Sequence, residues 1–273
     1  MADTISAARA GTIRVGDVTV NRLGLGTNRI TDTDEAYQLL EEAVNLGVNF
    51  IDTAHRYQGG ASETAIGNAL APYKNGLVVA TKGGWSNTLP DQLRGLLEES
   101  LQRLQTKRVD LYQLHRVNPS VPIEESVAVL KELQDEGKIR HIGLSEVSIE
   151  QLKKAQEVAP IVSVQNEYNV AVRQHEALVD YCTEQNIVFI PWFPLGGLSG
   201  DTTKVEALVA EVAKKYHATA QQIALAWLLK RSPIMLPIPG TLSIDHLKDN
   251  LRAADLELSD EDYEALRSST VAD

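Results

Sequence analysis

Three apolar runs in this chain each end in an ionisable side chain. VNFID (48–52) ends in Asp52, with Tyr57 just beyond it; LVVATK (77–82) ends in Lys82; VDLYQLH (109–115) ends in His115. Short apolar runs that close on polar residues are the pattern of buried parallel strands. Taken singly, each group reads as a buried ion pair or a strand end reaching solvent, since Lys and Asp are almost never buried unless paired. Taken together, at the same ends of neighbouring parallel strands, an acid, a phenol, an amine and an imidazole converge on one small volume. A phenol, with a pKa of about 10, is a poor proton donor near neutral pH, and a nearby ammonium favours its phenolate. Lys82 can supply that charge, Asp52 can hold the amine charged and aimed, and His115 can hydrogen-bond a carbonyl oxygen or share its proton. The set suits proton delivery to a carbonyl oxygen that is becoming an alkoxide. Apart from Lys82 it holds no obvious nucleophile, which implies a hydride-donating cofactor.

The elements that must carry these residues can be read from the pattern. TIRVGDVTV alternates around Gly16-Asp17 and predicts a β-hairpin. After RLGLGTN (22–28), strand-like and helix-like stretches alternate to the end of the chain, with Thr33 as a predicted N-cap and Gly47 as a helix stop. Counting RLGLG as the first strand and IMLPIPG as the last gives eight strands, each followed by helix. That count predicts a (β/α)8 TIM barrel, a single α/β domain over residues 1–273, capped at its bottom by the hairpin. The alternative is a doubly wound sheet, whose dinucleotide fingerprint fails here because Gly24-Leu25-Gly26-Thr27-Asn28-Arg29 lacks the third glycine. In barrels the active site lies at the C-terminal strand ends. Asp52, Lys82, His115, Ser145, Gln165-Asn166, Trp192 and Gly240-Thr241 all fall there.

Composition narrows the function classes. The net charge is −11 and there is no Lys/Arg cluster, which argues against a nucleic-acid partner. The one cysteine, Cys182, excludes an intrachain disulfide framework and a cysteine zinc site, and its helical setting reads as packing. No signal core or membrane-length apolar stretch is visible, so a cytoplasmic protein is expected. Nothing in the sequence specifies an oligomeric state.

The segment from Gly47 to Ala54, followed by Tyr57, Glu63 and Gly67, is similar to the first signature of the aldo-keto reductases, and Lys82 and His115 stand where that family keeps its other two catalytic residues. The resemblance covers essentially the whole chain. It implies a reductase of small aldehydes or ketones that uses NADPH without a Rossmann domain, and that runs backwards as an alcohol dehydrogenase. By that resemblance Tyr57 is the general acid, Asp52 and Lys82 tune it, and His115 orients the carbonyl. It further implies cofactor contacts from Gly26, Thr27 and Asn28, from Ser145 and Gln165 to the carboxamide, and from Trp192 stacked on the nicotinamide ring. PWFPLGGLSG (191–200), with Pro194, Leu195 and Gly196, resembles the loop over the pyrophosphate, and a glycine-rich turn can offer backbone N–H groups to phosphate. IPGTLSIDHLKDN (238–250) resembles the adenosine-phosphate site, with Gly240, Thr241, His246, Lys248, Asp249 and Asn250; there a helix start can receive an anion. Two positions depart from the commonest pattern. Glu146 follows Ser145 where an asparagine is usual, and Gly240 and His246 replace the Lys and Arg that grip the 2′-phosphate in many relatives, which admits NADH beside NADPH.

Three rival readings remain at this level. A Schiff-base lyase would use Lys82 as nucleophile, but a close carboxylate keeps a lysine protonated. A non-catalytic, cofactor-binding regulatory subunit of the same fold would keep the same four residues, although no inactivation-like N-terminal extension is present. A metal hydrolase finds no support, because His55, His115, His141 and His175 lack ligand spacing. Substrate walls are expected from Asn28, Arg29, His55, Trp85, Arg116 and Asn118, and VQNEYN with PLGG resembles reductases acting on pyridoxal, a small aromatic aldehyde.

Overall fold

The structure is a computed structural model, and it describes residues 5–74, 76–196 and 204–269. β1 (Thr12–Val15) and β2 (Val18–Asn21) form the hairpin, paired antiparallel from Thr12↔Asn21 to Val15↔Val18. Glycine is required at its tip: Gly16 has φ of 63°, and a Cβ there would lie 2.2 Å from the His141 ring.

The remaining strands form a parallel sheet in sequence order: β3 (Leu25–Gly26), β4 (Phe50–Asp52), β5 (Val78–Gly83), β6 (Val109–Leu114), β7 (Ile139–Ser145), β8 (Ile161–Gln165) and β9 (Val188–Phe189). The expected eighth strand, 234–240, closes the circle as isolated bridges rather than a regular ladder. On one side Leu236 N donates to Phe189 O at 2.9 Å; on the other Gly24 N donates to Pro237 O at 3.0 Å. Pro237 and Pro239 have no N–H to return to β3, which is why this strand is irregular. The result is a (β/α)8 barrel.

Helices α1 (Asp34–Asn45), α2 (Ala61–Leu70), α3 (Leu93–Arg103), α4 (Ile123–Asp135), α5 (Ile149–Gln156) and α6 (Glu176–Gln185) each follow a strand. Two helices, α7 (Lys204–Lys215) and α8 (Ala220–Arg231), follow β9, and α9 (Ile244–Leu251) and α10 (Asp260–Ser268) end the chain's described part. Thr33 caps α1 as predicted, accepting from Ala36 N, while Ser148 and Thr219 make capping boxes with Gln151 and Gln222. No helix among the described residues is long and apolar enough to cross a membrane.

The barrel interior is what positions the site. Its lower part is filled by Phe50, Val78, Ala80, Leu111, Val188, Ile190, Leu236 and Ile238, together with Val15 and Val20 from the hairpin. Strand side chains alternate faces with period two. Two residues further along the same inward face, Phe50 is therefore succeeded by Asp52, Ala80 by Lys82, Leu111 by Gln113, Ile190 by Trp192 and Ile238 by Gly240. The inward face turns from apolar to polar at one level, and that level is the C-terminal end of the barrel.

Candidate active site

Lys82 is fully buried, and its ammonium is saturated: Nζ donates to Asp52 Oδ1 at 2.6 Å, to Thr53 O at 2.7 Å and to Tyr57 Oη at 3.2 Å. Burial by itself pulls the amine's pKa down, but the charge of Asp52 and the hydrogen bonds to Asp52 and Tyr57 outweigh it and hold the pKa above the usual lysine value. The second oxygen of Asp52 accepts from Gln165 Nε2 at 2.9 Å and from Gln113 Nε2 at 3.3 Å. A buried ion pair of this kind is tolerable because nearly every lone pair and proton has a partner.

Tyr57 sits on the turn after β4. Thr53 N and His55 N continue the β4–β5 ladder onto Ala80 O and Lys82 O, and the chain then reverses through Gln58, Gly59 and Gly60, all at positive φ. Gln58 Nε2 anchors the reversal on Asn28 O at 2.9 Å. From behind, Glu63 of α2 is fully buried and accepts from Thr81 Oγ1 at 2.5 Å and from Arg103 at 3.3 Å; Arg103 also donates to His55 O at 3.0 Å. The turn bearing Tyr57 is therefore strapped to both α2 and α3.

His115 follows β6, with its N–H on Gly83 O at 2.8 Å. Its ring meets Tyr57 edge-on at 5.7 Å and Trp85 edge-on at 5.0 Å, and makes no hydrogen bond to the described residues. Burial, reinforced by the charges of Lys82, Arg116 and Arg56, pushes its pKa down to about 2. The imidazole is thus neutral near pH 7, with one N–H free for a ligand.

These groups open into a cavity of about 650 Å³. Asp52, Tyr57 and His115 line it, as do the predicted cofactor residues Gly26, Thr27, Asn28, Ser145, Gln165, Trp192, Pro194, Leu195 and Gly240. Lys82 lies behind Tyr57. The backbone at Gly26 and Gly240 is close-packed: a Cβ on Gly26 would lie 2.6 Å from Ile238 O, and one on Gly240 would lie 3.0 Å from Gly26 O. With Gln165 Nε2 engaged by Asp52, its Oε1 remains as an acceptor beside the Ser145 hydroxyl, and the Trp192 ring forms a flat wall. An amide-bearing aromatic ring fits such a donor set, and a nicotinamide is one.

Other predicted cofactor residues lie outside this cavity. Gly196 is buried against Phe193; Thr241 Oγ1 accepts from Ser243 N at 3.0 Å; His246 is exposed on the first turn of α9. Lys248 pairs with Glu42 at 3.0 Å, Asp249 accepts from Gln222 Nε2 at 2.7 Å, and Asn250 is buried. The loop residues 197–200 fall outside the described residues. Glu146, the departure beside Ser145, has φ of 56° and accepts from the Trp192 indole N–H and from Glu167 N, so its carboxylate meets the N–H edge of Trp192. Of the expected wall residues, Asn28, Arg29, Trp85 and Arg116 line the cavity. His55 instead pairs with Glu99 at 2.8 Å, and Asn118 is buried on Thr88 O. Phe193 and Ile238, from the two expected cofactor segments, also line the cavity, and so do Arg56 and Gln58, which the sequence reading does not single out. The signal for Arg56 was its place beside Tyr57, but only the reversal at Gln58 decides that its side chain enters.

The class defined by this fold and site is a barrel oxidoreductase with a tyrosine–lysine–aspartate–histidine centre. The sequence profile of the aldo/keto reductase family matches residues 22–270. An uncharacterized oxidoreductase of Schizosaccharomyces pombe is 41% identical, over 96% of this chain and 90% of that protein. A pyridoxine 4-dehydrogenase of Escherichia coli is 37% identical, over 92% and 96%. The crystal structure of an aldo-keto reductase from Klebsiella pneumoniae in complex with NADPH superposes with a TM-score of 0.84 at 28% identity, over 94% of each chain. This chain belongs to the aldo/keto reductase family. As a member, it is an oxidoreductase of small carbonyl compounds that uses NADP(H).

Proposed function

We propose that this enzyme reduces small aldehydes or ketones with Tyr57 as the proton donor. The observation that carries the assignment is the contact of a saturated, buried ammonium with the phenol: Lys82 spends one of its three hydrogen bonds on Tyr57 Oη. Because Nζ can only donate, Tyr57 Oη accepts there and keeps its own proton pointed elsewhere, toward the cavity. As that proton leaves, the growing negative charge meets a fixed positive charge, so the transition state gains more than the ground state. Neutral His115 donates its free N–H to the carbonyl oxygen and orients it against Tyr57. Asp52 aims Lys82. Gly26, Thr27, Asn28, Ser145, Gln165 and Trp192 would hold the nicotinamide end of the cofactor, Pro194, Leu195 and Gly196 its pyrophosphate, and Gly240, Thr241, His246, Lys248, Asp249 and Asn250 its adenosine phosphate. When bound, the cofactor supplies the hydride. NADPH is the proposed donor, and the absence of a Lys or Arg at Gly240 and His246 keeps NADH open as a second.

The same reading takes residues 1–273 as one cytoplasmic domain without a nucleic-acid partner. Buried, unbridged Cys182 and a net charge of −11 support it. Pyridoxal-like aromatic aldehydes are among the substrates proposed, supported by the pyridoxine 4-dehydrogenase relative.

The test follows oxidation of NADPH, then NADH, against an aldehyde panel including pyridoxal. Tyr57→Phe is expected to lower kcat by roughly 100-fold or more, the range of a lost general acid, while cofactor binding read by tryptophan fluorescence stays close to wild type. Undiminished turnover in Tyr57→Phe would remove the phenol from the mechanism.

A further inference from the structure

Two cavity-lining guanidiniums act in the chemistry above only through their charge on His115. Arg56 lies over the Trp85 ring at 3.8 Å and Arg116 at 5.0 Å, and Trp85 in turn packs edge-on against His115. Both arginines, with Trp85, line the same cavity as Tyr57. Among the described residues neither has a carboxylate partner. Among those residues the Arg56 side chain makes no hydrogen bond, and Arg116 uses one nitrogen, on His115 O at 2.9 Å and Ser145 Oγ at 3.2 Å.

The chain carries 37 acidic against 26 basic residues, and Arg94, Arg103, Arg140, Arg231 and Arg267 all reach carboxylates, whereas these two guanidiniums face the cavity without one. The one carboxylate lining the cavity, Asp52, is neutralised by Lys82. A guanidinium stacked on an aromatic face is held in place by its plane and keeps its in-plane N–H donors directed outward. The mouth of the cavity is therefore a positively charged, preorganised rim on an otherwise acidic protein, one aromatic ring away from His115.

Resting on the reductase reading, we infer that the preferred substrate is a carbonyl compound bearing a second, anionic group, a carboxylate or phosphate, which Arg56 and Arg116 grip while its carbonyl lies between Tyr57 and His115. Two oxygens of a carboxylate or a phosphate match the paired donors of a guanidinium group, and the flat Trp85 ring suits an aromatic or unsaturated body between the two ends. Arg29, the third arginine lining the cavity, donates to Gly240 O at 2.9 Å and so belongs to the cofactor side rather than to this clamp.

The experiment compares 4-formylbenzoate with its neutral methyl ester in the wild type, Arg56→Gln, Arg116→Gln and the double variant. Three quantities are read: kcat/KM with NADPH, affinity for 4-formylbenzoate by tryptophan fluorescence, and affinity for NADP+. The wild type is expected to prefer the carboxylate at least tenfold, each single variant to cut that ratio severalfold, and the double variant to abolish it, with NADP+ affinity held within twofold. Equal kcat/KM for acid and ester, or a preference that survives in the double variant, overturns the inference while leaving the reductase intact. A large loss of NADP+ affinity also overturns it, by assigning the arginines to the cofactor. Arginine-dependent binding of 4-formylbenzoate without turnover of either aldehyde would sustain the clamp and sink the reductase reading instead.

Discussion

Burial at His115 has a cost that pH exposes. Its pKa is pushed from the ordinary 6.5 down to about 2 in the folded protein, so the unfolded chain binds a proton at pH 5 that the native state refuses. The stability associated with keeping this ring neutral is complete above pH 6.5 and is lost steadily as pH falls from there toward 2. At 1.36 kcal/mol per pH unit the loss by pH 5 is about 2 kcal/mol. Urea unfolding of wild type and His115→Asn at pH 7 and pH 5 measures it: the stability difference between the two should move by about 2 kcal/mol in favour of the variant at the lower pH. A difference that stays constant would mean the imidazole is solvated in the native protein. A neutral His115 also contributes no ionisation to the pH–rate profile between pH 5 and 8.

At the scale of elements, the catalytic turn depends on how closely α2 approaches α3. Gly67 is the contact point: a Cβ there would lie 2.2 Å from the Arg103 carbonyl oxygen, which is backbone and cannot rotate away. Gly67→Ala should improve intrinsic helix propensity by about 1 kcal/mol and still destabilise the protein overall, because overpacking costs about 1–3 kcal/mol and backbone has to move. Arg103 carries the hydrogen bonds to Glu63 and His55 O that hold the Tyr57 turn, so displacement of α3 should lower kcat as well. A urea midpoint above wild type would show that the two helices can separate freely. The same two helices show what a linear reading can reach. Glu63 and Gly67 stand out as members of a signature, but their physical work, one bracing Thr81 and Arg103 and the other admitting the Arg103 backbone, exists only once α2 lies against α3.

Across the whole molecule, the barrel separates stability from chemistry along its axis. Val15 and Val20 of the hairpin fill the lower interior with Phe50, Val78 and Leu111, opposite the cavity. Val20→Ala should cost about 2 kcal/mol, from two lost methylene equivalents and the void they leave, while kcat stays within twofold of wild type. A parallel fall in kcat would show that packing at the floor is transmitted to the polar layer above it.

The sequence by itself determined the strand ends. A period-two pattern that runs apolar and then closes on Asp52, Lys82 and His115 commits those residues to one end of a parallel barrel, because a one-residue slip would bury the wrong face of every strand. Tertiary structure alone decided the rest. Whether His55 or Arg56 enters the cavity is set by a backbone reversal at Gln58 and Gly59 that no periodicity encodes. The turn of Glu146 toward Trp192 depends on contact between segments 46 residues apart. The approach of Arg56 and Arg116 to Trp85 joins three loops that meet because β4, β5 and β6 pair in parallel as neighbours. Local spacing fixes direction along a strand; which loop side chains face one another is a property of the closed circle.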